Sequence, residues 1–208
     1  MTWLHVFSAL VLFCAKVSNV WSYAFINPKG MPCEYRFCEG DFDLTYNNPG
    51  LCTTINGTVR ISGAFTHRPA CLTNITGDFI TQHNTQITDF TGLETLIQVG
   101  THVTIWNNPL LQNLNGLDGL KVIGYIARVQ ALTDSNLLIQ ENPKLVNLDG
   151  FSNLTVVYGD FRIVANAALK NLWGLKSMYF VEGLFEIDAN PQLLTLHGLE
   201  ALRMGGQR

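Results

Sequence analysis

Hydrophobic residues recur along this chain at fixed offsets from a repeating asparagine, with polar or mixed positions between them. Asn84 and Asn108 stand 24 residues apart, and Asn142, Asn166 and Asn190 keep that beat after a single insertion at about Tyr125 to Asp134. Five residues before each asparagine stand Phe79, Val103, Leu137, Phe161 and Phe185, and three before it stand Thr81, Ile105, Ile139, Ile163 and Ile187. That alternation predicts a short strand with one buried face in every repeat. Beyond the asparagine an apolar residue returns at every third position. The first of these files is Ile87, Leu111, Leu145, Leu169 and Leu193, and the last is Val99, Ile123, Val157 and Val181. Such spacing predicts a flattened, partly helical or irregular return path with one side turned inward. A period in this range marks a solenoid, in which each coil buries its apolar files only by stacking on its neighbours.

The asparagine ends the strand. Its amide suits bonding to the turn backbone, and copies stacked about 4.8 Å apart would bond one another as a ladder. Pro109, Pro143 and Pro191 follow three of the five and fix φ where the chain bends away. A glycine file (Gly92, Gly116, Gly150, Gly174, Gly198) is expected to supply positive φ at the next corner. In the last coil the place of the final apolar file falls on Gly205. Ahead of the regular coils, Thr54 to Ile61 and Asn74 to Thr81 share an Ile-x-Gly-x-apolar strand, with Cys52 and Cys71 just before them.

These residues carry a resemblance. Cys-x-x-Ile-x-Gly-x-Val-x-Ile at Cys52 to Ile61, followed by repeats of the form Ile-x-x-Asn-Pro-x-Leu-x-x-Leu-x-Gly-Leu-x-x-Leu, resembles the receptor L domain. That leucine-rich module occurs in the ectodomains of the insulin and epidermal growth factor receptors, and the likeness runs from about Cys33 to Met204. It implies a mainly β, right-handed β-helix of 24-residue coils that binds a protein ligand or a sister receptor outside the cell. It does not imply kinase activity, since no Gly-rich loop, catalytic loop or other kinase motif occurs in these 208 residues.

An apolar stretch from Leu4 to Ala15, then a short polar segment and Val20-Trp21-Ser22, fits a secretory signal cleaved after Ser22. It is too short to span a membrane. The chain therefore divides into a signal peptide (1–22), a cysteine-containing cap (23–51), a receptor-L-like β-helix (52–204) and a tail (205–208). Removing the leader takes Cys14 and leaves Cys33, Cys38, Cys52 and Cys71, an even set suited to a secreted disulfide framework. Three connectivities are open, and the resemblance favours Cys33 or Cys38 joined to Cys52. A zinc site held by all four would want paired CxxC knuckles, which these spacings lack.

Asn56-Gly57-Thr58, Asn74-Ile75-Thr76 and Asn153-Leu154-Thr155 are acceptors for N-linked glycans, and none of the five ladder asparagines forms such a triplet. The net charge is −3, only 14% of residues are charged, and no basic stripe appears, which argues against a nucleic-acid partner. The histidines share no file, so neither a metal cluster nor a catalytic triad is expected, and the fold needs no cofactor.

The outward strand positions read Ile80, Thr104, Leu138, Arg162, Glu186 and Gln82, Trp106, Gln140, Val164, Asp188. Ile80, Trp106, Leu138 and Val164, with Arg162 among them, form the expected ligand face: apolar, with a tryptophan and a polar rim. Glu186 and Asp188 form the one acidic pair here and read as solvated edge residues, whereas polysaccharide cleavage needs clustered acids. The sequence thus points to a non-catalytic, secreted or ectodomain recognition module. It would act as a soluble decoy or as the outer part of a longer receptor, with no membrane span in this chain. A glycosylated cell-surface or matrix scaffold is the alternative, and a carbohydrate-active β-helix enzyme the remoter one.

Overall fold

The computed structural model describes residues 13–17, 20–26, 32–124 and 135–204. The chain is mainly β. Among the described residues helix is confined to two three-residue 3-10 turns, Asp149–Phe151 and Trp173–Leu175. Strands β1 (Phe13–Val17), β2 (Val20–Ile26) and β3 (Pro32–Glu34) form a small antiparallel sheet. Most of the expected leader, and both the insertion at Tyr125 to Asp134 and the tail at 205–208, lie outside the described residues.

From Phe37 onward the chain adds strands alternately to two parallel sheets. The eight-stranded sheet holds β4 (Phe37–Glu39), β6 (Thr54–Asn56), β8 (Asn74–Ile75), β10 (Gln98–Val99), β12 (Val122–Ile123), β14 (Val156–Val157), β16 (Phe180–Val181) and β18 (Arg203–Met204). The seven-stranded sheet holds β5 (Phe42–Asp43), β7 (Val59–Arg60), β9 (Phe79–Gln82), β11 (Val103–Trp106), β13 (Leu137–Gln140), β15 (Phe161–Val164) and β17 (Phe185–Asp188). In each sheet neighbouring strands come from successive repeats. The segment 23–51, expected as a cap, supplies β3 to β5, so parallel pairing begins ahead of Cys52.

Register follows the sequence period. Phe79 pairs with Val103, Val103 with Leu137, Leu137 with Phe161 and Phe161 with Phe185. Val103, Ile105, Leu111, Leu114, Leu117, Leu120 and Ile123 are all fully buried, and so are their counterparts in the next two repeats. Each such side chain contributes about 1.5–3 kcal/mol on leaving water, and it leaves water only because a neighbouring repeat covers it. In the last repeat the files open, and Leu196 is 60% exposed. There Arg203 pairs with Phe180 and Met204 with Val181, one residue earlier than the period predicts. Met204, not Gly205, therefore takes the place of the final apolar file.

Asn84, Asn108, Asn142 and Asn166 are fully buried and form the expected ladder. Each backbone N–H donates to Oδ1 of the next asparagine, at 3.2, 3.1, 3.1 and 2.9 Å along the series ending at Asn190. The amide nitrogens of Asn142, Asn166 and Asn190 donate back to the carbonyls of Ile105, Ile139 and Ile163 at 2.9, 2.9 and 2.8 Å. One residue before each asparagine the chain enters the left-handed region: His83, Asn107, Glu141, Ala165 and Ala189 all have φ between 53° and 56°. Non-glycine residues rarely accept that conformation, so the amide bonds of the ladder hold the turn against its own preference.

The glycine file corrects the expectation of positive φ throughout. Gly92, Gly116 and Gly198 do take it, but Gly150 and Gly174 sit inside the two 3-10 turns with ordinary φ. Close backbone approach explains those two. A Cβ on Gly150 would lie 1.9 Å from the Leu114 carbonyl oxygen, and one on Gly174 would lie 1.8 Å from that of Leu148.

The four cysteines form two disulfides, Cys33–Cys71 and Cys38–Cys52, with Cα atoms 5.6 and 6.0 Å apart. Of the two partners that the resemblance allows for Cys52, the fold uses Cys38.

Candidate functional site

The outward face of the seven-stranded sheet is set by the same register. Ile80, Thr104, Leu138, Arg162 and Glu186 lie side by side on successive strands, and beside them run Gln82, Trp106, Gln140, Val164 and Asp188. The four apolar members alternate between the two files, so Ile80, Trp106, Leu138 and Val164 zigzag across four consecutive strands. All four are half-buried rather than fully open, and Thr104 and Gln140 stand between them. The patch is therefore interleaved with polar groups and is not a continuous apolar stripe.

Trp106 is held in place from two sides. Its indole N–H donates to Glu141 Oε2 at 3.2 Å, and its ring packs on His83 with centroids 4.5 Å apart. Gln140 Nε2 donates to the other oxygen of Glu141 at 2.8 Å. His83 and Glu141 are both residues of the left-handed file, so the turn that presents them also fixes the indole.

Beside the tryptophan lies a concavity of about 460 Å³, whose lining includes His102, Leu138, Gln140, Asp160, Arg162 and Glu186. Arg162 is shared by two carboxylates, Asp160 at 3.1 Å and Glu186 at 3.6 Å. All three groups are partly solvated, so each pair contributes at most about 1 kcal/mol. Their effect is to position the guanidinium and to leave the hollow with a small excess of negative charge. Glu186 is engaged by Arg162, while Asp188 is exposed at the end of β17.

A second ladder borders this hollow at the start of the strands. Asp78 Oδ1 accepts from the His102 backbone N–H at 3.0 Å, His102 Nδ1 from that of Asn136 at 3.2 Å, Asn136 Oδ1 from Asp160 at 2.8 Å and Asp160 Oδ1 from Leu184 at 2.9 Å. An N–H donated to Nδ1 places the proton of neutral His102 on Nε2. Sequence reasoning missed His83, Glu141, His102 and Asp160. Only the recurrence of an acceptor atom six residues before Asn84, Asn108, Asn142 and Asn166 could have revealed the last two.

Among the described residues no group of three or more His, Cys, Asp or Glu side chains is placed to hold a metal ion, and no helix is long and apolar enough to cross a membrane. At the far corner of the sheet, burial pushes the Asp43 carboxyl up. Hydrogen bonds from the Ser62 hydroxyl and from Thr45 outweigh it and hold the group below the usual carboxylate value. Asn56 and Asn153 are exposed and Asn74 is half-buried, and none of the three is a residue of the seven-stranded sheet. Compared with protein-family models, curated proteins and solved structures, the chain matches none.

Proposed function

We propose that this chain is a non-catalytic extracellular recognition module, a receptor-L-like right-handed β-helix of 24-residue coils. It binds a protein ligand or partner receptor on the outward face of its seven-stranded sheet, as a soluble decoy or as the outer part of a receptor. The observation that carries this reading is the zigzag of Ile80, Trp106, Leu138 and Val164 beside a charged hollow, with the indole already oriented by Glu141 and His83. An immobilised tryptophan with a polar surround is what a binding hot spot needs, since little side-chain freedom remains to be lost on docking. Two parallel sheets growing by one strand per repeat support the β-helix reading, and two disulfides agree with an oxidising compartment. The engagement of Glu186 by Arg162 favours recognition over hydrolysis.

The test is a binding screen of the secreted chain against extracellular proteins and receptor ectodomains. Trp106→Ala is expected to weaken the partner found by at least tenfold while leaving secretion and circular dichroism intact. Unchanged affinity would remove this face from consideration. A chain that captures nothing saturably and accumulates in the matrix would instead be the glycosylated scaffold.

A further inference from the structure

Each of the three glycan triplets adjoins a strand of the eight-stranded sheet. Asn56 ends β6, Asn74 opens β8, and Thr155 of the third triplet immediately precedes β14, all in the eight-stranded sheet. The Asn56 triplet also leads into β7 of the seven-stranded sheet, whereas the Asn74 and Asn153 triplets adjoin the eight-stranded sheet alone. Register fixes the outward file of the eight-stranded sheet: Asn74 pairs with Gln98, Gln98 with Val122, Val122 with Val156 and Val156 with Phe180. Phe180 packs edge-on against Tyr158 with centroids 6.4 Å apart, and Tyr179 beside it is 52% exposed. Val122, Val156 and Phe180 therefore form a second apolar strip facing outward; Asn74 lies in the same file with Gln98 between, and Arg203 flanks the other side. Exposed Asn153, whose amide donates to the Asp118 carbonyl at 2.7 Å, stands on its border.

We propose that N-linked glycans on Asn74 and Asn153 lie across this strip and close it to other proteins. At about 4.8 Å per strand, Val122 lies roughly 10 Å from Asn74 and Phe180 roughly 19 Å, within reach of a core of a few sugars. Sugar rings present C–H faces that pack on aromatic side chains while their hydroxyls stay in water. A bulky, solubilising group thus removes a patch that would otherwise drive association. With this strip covered, the seven-stranded face stays open to a protein partner. The inference rests on the extracellular reading proposed above and specifies which surface the glycans occupy.

The experiment uses the full chain secreted from glycosylating cells. Peptide mass spectrometry reads occupancy of each acceptor. Hydroxyl-radical footprinting is then run on the folded protein before and after an endoglycosidase trims each glycan to one sugar. Asn74 and Asn153 should be occupied, and trimming should raise oxidation of Tyr179 and Phe180 several-fold while Trp106 stays constant. Empty acceptors at Asn74 and Asn153 would overturn the inference, as would occupied acceptors with no change at Tyr179 and Phe180. The second result leaves the extracellular reading standing. A secreted chain with no glycan at any of the three would count against both.

Discussion

The side-chain amide of Asn108 donates to Oδ1 of Asn142 at 3.0 Å, though 34 residues of chain separate them. The same Oδ1 also accepts the backbone N–H of Asn108 at 3.1 Å. One buried oxygen thus ties two repeats together through both the main chain and the side chain of its neighbour. Nothing outside the ladder could supply that pairing, because Asn108 and Asn142 are both fully buried.

Asn142→Ala is expected to cost about 2–4 kcal/mol, given about 1–3 kcal/mol for each buried polar group left unpaired. It strips the acceptor from Asn108 and the donor from the Ile105 carbonyl. Asn142→Asp should cost more, since a carboxylate would face the Ile105 and Gln140 carbonyls. Denaturant midpoints measure both. A loss no larger than that of Asn190→Ala, at the half-buried end of the ladder, would mean that the ladder contributes little.

Two glycines separate crowding from backbone conformation. Gly174→Ala should cost about 1–3 kcal/mol or more, because its Cβ would sit 1.8 Å from a carbonyl oxygen in the packed interior. Gly50 has φ +62° and nothing within 4 Å of a Cβ, so Gly50→Ala should cost only about 1–2 kcal/mol from left-handed strain. Secreted yield and thermal midpoints should rank the two in that order.

Acid sensitivity should depend on Asp43. Its folded pKa lies below the unfolded value because hydrogen bonds from Ser62 and Thr45 outweigh burial. The stability it contributes is therefore complete above the unfolded carboxylate value of about 3.9 and is lost as pH falls through the lower folded value. Asp43→Ala should lower stability at neutral pH and flatten its fall below about pH 4. Urea titrations at stepped pH would reveal an unchanged slope if Asp43 were not responsible.

The two disulfides should differ in weight. Cys33–Cys71 closes a separation of 38 residues and Cys38–Cys52 one of 14. Loop-closure entropy assigns them about 4 and about 3 kcal/mol respectively. Replacing Cys33 and Cys71 by serine together should lower the guanidinium midpoint more than the corresponding change at Cys38 and Cys52.

Residue identity made the buried files and the asparagine ladder legible, because apolar side chains fill those files with the exception of Thr81, and the asparagine amide both donates and accepts at its place. Other features leave no such trace. The left-handed residues His83, Asn107, Glu141, Ala165 and Ala189 share a backbone conformation and no side-chain chemistry. The second ladder uses aspartate, histidine and asparagine interchangeably, since each offers one acceptor atom. Glycine was recognised at the right positions for a reason that fails at Gly150 and Gly174, where neighbouring backbone decides. Half-burial of the outward zigzag was likewise hidden, because it depends on neighbours such as His83 and Glu141 around Trp106, which no apolar pattern marks. Cysteine pairing needed the path of the chain between Cys33 and Cys71.

The ladder also restricts how this chain changes length. Removing one whole period between Asn142 and Asn166 would bring like residues back over like, whereas a partial deletion would set leucines against polar surface unless a bend absorbed the difference. Other intervals are accepted where the strands still pair: Val59 meets Phe79 after 20 residues, Val181 meets Met204 after 23, and Ile123 meets Val157 after 34. Descendants of this sequence are thus freest to change length at the bends, where the strands keep their pairing whatever the interval.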